Sequence, residues 1–220
     1  MIPPEQNADF VCQMEQVLEV YKRPYNPHHP VLCLDETAKQ LVSEIRNPII
    51  TANGTTLYDS EYKREGACDI YMVYEPLAGK RYVTVRDSHN RLDWATVVSD
   101  VIENQYSHVD KITLVQDNLS AHKPYAMYEL FEPEQAKRLL DKIEFVYTPK
   151  HGSWLNIAEI ELSVLFRQCT DRRIASKEKL IFETSQWETQ RNAIEATVDW
   201  QFTTADARIK LKRLYPSIIT

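Results

Sequence analysis

Cysteine is sparse and unpaired in this sequence. Cys12, Cys33, Cys68 and Cys169 are spread over 220 residues, with no CxxC and no Cys/His pair at zinc spacing. That pattern excludes a structural zinc and a disulfide framework, and it fits a reduced, cytoplasmic setting. The opening MIPPEQNADF lacks the basic and apolar regions of a signal peptide, and no apolar run approaches the roughly 18 residues of a membrane span. A protein neither exported nor embedded in a membrane is expected. Basic charge is also in deficit, with a net charge of −6. A nucleic-acid binder acting alone usually has the opposite sign or a dense basic patch, so autonomous tight DNA binding is disfavoured. The C-terminal RIKLKRLYP (208–216) is locally basic. Internal repeats and low-complexity segments are missing. Glycine is scarce, with four in the chain. One of them, Gly152, stands in TPKHGSWLNIAEIE (148–161), directly before an acidic helical stretch.

What is present is the profile of a soluble globular domain: 43% hydrophobic and 26% charged residues. Residues 8–22 space Phe10, Met14, Val17, Leu18 and Tyr21 as an amphipathic helix, and RPYNPHHP (23–30) ends it. VLCLDE (31–36) reads as a short buried strand with Asp35 at its C-terminal tip. Residues 44–65 read as an extended loop. Residues 68–87 predict a hairpin whose strands are separated by EPLAGK. A helix is expected over 93–106 with Asp93 suited to cap it, then a strand over 111–118 that ends near Asp117. Helix follows over 125–142, interrupted at Pro133, then a strand over 143–149 and a helix over 155–168. Two further helical stretches, 176–201 and 204–214, complete the chain. The order predicts an RNase H-like α/β fold, a mixed five-stranded sheet flanked by helices, with extra N-terminal and C-terminal helices. The implied division is 1–30 for the N-terminal helix and linker, 31–170 for the core, and 171–220 for the C-terminal helical extension.

Asp35, Asp117 and Glu159 are the candidates for chemistry. If the first and fourth strands are neighbours, both aspartates emerge at one edge and the helix after the fifth strand carries Glu159 toward them. Three such carboxylates repel unless a cation sits between them. Oxygen donors with open water positions suit Mg²⁺ or Mn²⁺, and two such ions support phosphoryl transfer without a protein nucleophile. Any one acidic residue after a strand is more often a cap or a solvated turn; the placement of all three is the signal. Asn118 is either a turn former or a substrate contact. His122 either orients a carboxylate or bonds a phosphate, or else is simply packed. Lys150 and His151 lie where they could reach a DNA phosphate, with a solvated role as the alternative for Lys150. Gly152 allows a tight turn and Ser153 is placed to cap the following helix. Trp154, Leu155, Ala158, Leu162 and Leu165 form its core stripe. Glu161 is two residues from Glu159 and faces elsewhere, so only one of the two faces the site.

LCLDE, LVQDNLSAHK, TPKHGSWLNIAEIELSVLFRQC and ATVDWQFTTADARIKLKRLYPS, over nearly the whole chain, resemble transposases of the insertion sequence 630 family, prokaryotic relatives of mariner elements. PPEQNADFVCQMEQVLEVY resembles the segment that joins their DNA-binding part to the catalytic domain. The resemblance implies a DDE domain that cuts transposon ends and joins the freed 3′ ends to target DNA with two Mg²⁺ ions, assembled as a homodimer on DNA. By motif the triad is Asp35, Asp117 and Glu159. The spacer before the third acid is longer than in the compact mariner arrangement, which keeps Glu161 as the alternative. Full-length relatives begin with helix-turn-helix modules, and this sequence starts after them, so specific DNA recognition is expected to reside elsewhere. Two other readings stand beside this one: a different RNase H-like nuclease, and a non-catalytic transposase remnant.

Overall fold

The computed structural model describes residues 5–57 and 59–217; parts of the expected N-terminal segment (1–4), of the expected loop (Tyr58) and of the C-terminal extension (218–220) lie outside the described residues. Helix α1 (Ala8–Tyr21) starts where the Asn7 side chain accepts the Phe10 N–H, and it buries Phe10, Met14, Val17, Leu18 and Tyr21 at the predicted spacing. Strand β1 (Val31–Glu44) is much longer than the apolar run implied. Asp35 is therefore within the strand and not at its tip. Val31 to Cys33 pair parallel to β6 (Ile112–Gln116), and from Cys33 onward the strand pairs antiparallel with β4 (Tyr62–Glu75), out to the Glu44–Tyr62 pair, so Cys33 has partners on both sides. From Lys39 on, where β4 no longer pairs with β5, this is a two-stranded ribbon with largely solvated faces, so KQLVSE needs no continuous apolar pattern to stay extended.

The segment 44–65, expected as loop, contains a small hairpin of β2 (Ile49–Ile50) and β3 (Thr56–Leu57) as well as the last residue of β1 and the first residues of β4. Strands β4 and β5 (Lys80–Arg86) form the expected hairpin. Its turn includes Gly79, whose φ of +66° and a clash of any Cβ with the Glu195 backbone at 2.5 Å leave room for glycine alone. Helix α2 (Arg91–Asn104) is capped by Asn90, whose side chain accepts the Leu92 and Asp93 N–H groups; Asp93, the expected cap, lies inside the first turn. Pro133 divides α3 (Ala126–Leu130) from α4 (Pro133–Asp141), taking the first helical position where its missing N–H costs nothing. Strand β7 (Ile143–Tyr147) leads through a 3₁₀ turn to α5 (Ile157–Leu165) and a π turn (Phe166–Thr170). Helices α6 (Lys177–Ala193) and α7 (Thr204–Lys210) follow.

The sheet order is β5-β4-β1-β6-β7. Its two faces carry separate cores. Cys33, Ile70, Met72 and Val115 pack against α1, α5, α6 and α7, whereas Leu32, Leu34, Val73 and Leu114 pack against α2, α3 and α4. This is the mixed RNase H-like sheet that the element order predicted. Helix α6 covers the open edge of β5: the Asn192 side chain accepts the Arg81 N–H at 2.8 Å and donates to the Arg81 carbonyl at 2.9 Å, and Glu188 accepts the Val83 N–H. Side chains thus stand in for a sixth strand and block edge pairing. Among the described residues no helix is long and apolar enough to cross a membrane.

Candidate active site

Asp35 leaves the face of β1 that packs on α5, two residues beyond Cys33, where the parallel pairing to β6 ends. Asp117 follows β6 directly. The third acid reaches this sheet end because α5 is fastened to β1 at its first turn. Asn156, 1% exposed, caps the helix by accepting the Ala158 N–H and donates from Nδ2 to the Leu34 carbonyl at 2.8 Å. The Tyr21 hydroxyl donates to the Leu155 carbonyl at 2.7 Å, adding α1 to the same anchor. Glu159, in the first turn, then faces a cavity of about 490 Å³ bounded by residues 35–39 of β1 and by Ser153, Ser163, Phe166 and Thr170. A helix N-terminus favours a carboxylate at that position.

The sequence expected Ser153 to cap α5, but Asn156 does so, because the 3₁₀ turn of Ser153–Leu155 intervenes. The strained residue of the loop is His151, with φ +66°, while Gly152 has φ −111°. Glycine is needed at 152 for space: a Cβ there would lie 2.5 Å from Pro149 Cγ and 2.9 Å from the Pro149 carbonyl. Leu155, Ala158, Leu162 and Leu165 are buried as expected, and half-buried Trp154 packs edge-on to Phe202.

Glu161 is directed away from this cavity. It is 1% exposed and receives Arg81 Nε at 2.5 Å and Arg191 Nε at 2.9 Å. Lys150 and His151 are exposed on the loop after β7. Asn118 is exposed, accepts a bond from the Lys123 ammonium, and lines a separate groove between α1 and β7. His122 is fully buried, with Nδ1 2.5 Å from Asp117 Oδ1 and Nε2 3.2 Å from Glu36 Oε2. Burial alone would depress its pKa, but the Asp117 and Glu36 carboxylates override this and hold it at about 9. Sequence reasoning passed over Glu36 and Asn156; the first adjoins Asp35 in LDE and the second ends the WLN triplet before the helix.

Burial pushes the Asp35 carboxyl up to about 7. The Glu36 N–H, donating to it at 2.9 Å, offsets part of that, and repulsion from Glu36, Asp117 and Glu159 adds to it. The three carboxylates are hard oxygen donors, so the donor chemistry fits a cation such as Mg²⁺ or Mn²⁺. Among the described residues no three His, Cys, Asp or Glu side chains stand close enough to enclose an ion in their present positions.

Among solved structures, the fold is similar to the Mos1 mariner paired end complex with Mn, with a TM-score of 0.59 at 13% identity over 89% of this chain. It is similar to the Mos1 Strand Transfer Complex with a TM-score of 0.60 at 12% identity over 89% of this chain. The chain spans 60% and 59% of the length of those two proteins. Against the catalytic domain of Mos1 mariner transposase the TM-score is 0.56 at 11% identity, covering 90% of this chain and 99% of that one. At such identities the likeness is one of fold. No curated protein matches by sequence. Residues 30–181 match the family described as DDE superfamily endonuclease. With most of its length inside that match, and the fold to go with it, the chain belongs to the DDE superfamily endonuclease family.

Proposed function

We propose that this chain is the catalytic domain of a DDE transposase of the insertion sequence 630 type, cutting transposon ends and joining the freed 3′ ends to target DNA. The observation that carries the reading is the meeting of Asp35 and Glu159 in one cavity at the sheet end, with Asp117 acting on Asp35 by charge repulsion. One of the similar Mos1 structures is a paired end complex with Mn and another a paired end complex with Mg. In this reading Asp35, Asp117 and Glu159 hold two Mg²⁺ or Mn²⁺ ions. Bound there, such ions would supply the activation of a water or a 3′-hydroxyl and the stabilisation of the phosphodiester's leaving oxygen.

The chain's own residues bind and orient. Asn156 sets the distance between the Glu159 helix and β1. His122 holds Asp117. Lys150 and His151 contact a DNA phosphate, and Asn118 approaches the strand from the far side of Asp117. Residues 31–170 form the catalytic core, with 1–30 and 171–220 appended. Transposon ends and target DNA are the partners, and the chain works in the cytoplasm as a homodimer on DNA.

The test is Mn²⁺-dependent nicking of supercoiled plasmid by the purified chain, beside a folded Glu159→Gln variant. Nicking by the parent alone is expected. Equal nicking by both overturns the assignment of Glu159, and no nicking even with an N-terminal DNA-binding module attached favours a non-catalytic remnant.

A further inference from the structure

Successive residues of β1 point to opposite faces of the sheet. Cys33 belongs to the core under α1 and α5, and Leu34 to the core under α2 and α3. Asp35 continues the first series and Glu36 the second. Glu36 thus stands behind the acid cluster, and its side chain is 9% exposed. Between Glu36 and Asp117 lies the ring of His122, fully buried and stacked on Trp94 at 6.1 Å between centroids. Trp94 in turn donates from Nε1 to Gln116 Oε1 at 2.9 Å, and Gln116 donates from Nε2 to the His122 carbonyl at 3.3 Å. The imidazole is gripped by the sheet on one side and an indole on the other.

Its two nitrogens are not equally served. Nδ1 meets Asp117 Oδ1 at 2.5 Å, while Nε2 and Glu36 Oε2 lie 3.2 Å apart, off the line of a good hydrogen bond and with no other hydrogen-bond partner. A carboxylate and an imidazole this deeply buried are costly unless each compensates the other. Buried ion pairs give little net stability compared with apolar packing, so stability alone is a poor reason for this one. What the pair does accomplish is geometric. It fixes the ring, and the ring fixes which oxygen of Asp117 is engaged from behind.

We infer that Glu36 is a positioning residue for the acid site: through His122 it holds the Asp117 carboxylate in the orientation needed to bind a divalent cation. The inference rests on the proposed role of Asp117 as a metal ligand. Outer partners of ligating groups commonly contribute about 10- to 100-fold in metal affinity.

The experiment is a Mn²⁺ titration, followed by the paramagnetic resonance of the free ion, on the full chain and on Glu36→Ala, Glu36→Gln, His122→Asn and Asp35→Asn. It is paired with ¹⁵N spectra of the His122 ring in metal-free protein. Glu36→Ala is expected to weaken Mn²⁺ binding by about 10- to 100-fold and to shift the ring signals. Glu36→Gln, which keeps an acceptor oxygen in place, is expected to restore most of both. Combining Glu36→Ala with His122→Asn should weaken binding no further than His122→Asn alone. Where Glu36→Ala does not fold, Glu36→Met fills the same space without an acceptor and takes its place. Parent-like Mn²⁺ binding with unchanged ring signals in folded Glu36→Ala overturns the inference. If parent and Asp35→Asn bind Mn²⁺ equally poorly, the metal-site reading itself fails, and unchanged ring signals then overturn the Glu36–His122 coupling separately.

Discussion

Glu161 and Arg81 meet at 2.5 Å with side chains 1% and 0% exposed, while Glu159, two residues earlier on the same helix, opens onto the cavity that Asp35 lines. The two glutamates therefore answer to different physics. Arg81 also donates to the Gly79 and Ala196 carbonyls and lies over the Tyr74 ring, so α5, the β4–β5 turn and the segment after α6 are fastened at one buried guanidinium. Glu161→Ala leaves that charge uncompensated and should lower the unfolding free energy by about 3–5 kcal/mol. Glu159→Gln should stay within about 0.5 kcal/mol of the parent yet abolish metal-dependent nicking. Urea unfolding beside a plasmid assay separates the two. A stable Glu161→Ala protein would remove the structural role given to the pair.

Asn156 is expected to serve two ends at once. Asn156→Ala removes a helix cap, worth about 1 kcal/mol, and leaves the buried Leu34 carbonyl without its donor, worth about 1–3 kcal/mol. Asn156→Asp keeps the cap but cannot donate to Leu34. Nicking should fall in both variants because Glu159 is no longer tied to β1. Parent-level nicking in Asn156→Asp would mean that the tie does not matter to the site.

The tight loop before α5 gives a steric prediction. Gly152→Ala keeps an ordinary backbone angle but pushes a Cβ against Pro149, so a loss of about 1–3 kcal/mol is expected from overpacking. Thermal unfolding measures it, and an unchanged midpoint would show that the loop relaxes at no cost.

Arg23 makes two bonds to Glu144, at 2.7 and 3.0 Å, and Thr113 donates to the same carboxylate. The Arg23 guanidinium, opposed by burial and helped by Thr113, holds Glu144 down at about 2, against an ordinary 4.5. A depressed carboxyl pKa contributes stability that is full above the unfolded value and disappears as pH falls through the folded one. The stability difference between the parent and Arg23→Ala should therefore be constant above about pH 5 and shrink between about pH 4.5 and 2. Both side chains are more than 40% exposed, so solvent screening keeps the difference small. Denaturation at pH 7 and pH 3 tests the sign; a difference that grows on acidification contradicts it.

Much of the fold was legible because its signals are local. The spacing of Phe10, Met14 and Leu18, the apolar runs at 31–34 and 112–115, and Pro133 each act through their near neighbours, and together they dictate a mixed sheet with helices on both faces. The sequence also singled out Asp35, Asp117 and Glu159, since acids after buried strands stand out in an apolar context. What it could not contain was pairing between distant segments. The extension of β1 to Glu44 depends on a partner that begins at Tyr62, and the cap at Asn156 depends on a 3₁₀ turn closed by Gly152 and on the Leu34 carbonyl of another strand. The different fates of Glu159 and Glu161 depend on Arg81, eighty residues earlier in the chain. Local periodicity says that two residues two apart on a helix face different ways; only the tertiary structure decides which face meets a cavity and which meets a buried charge.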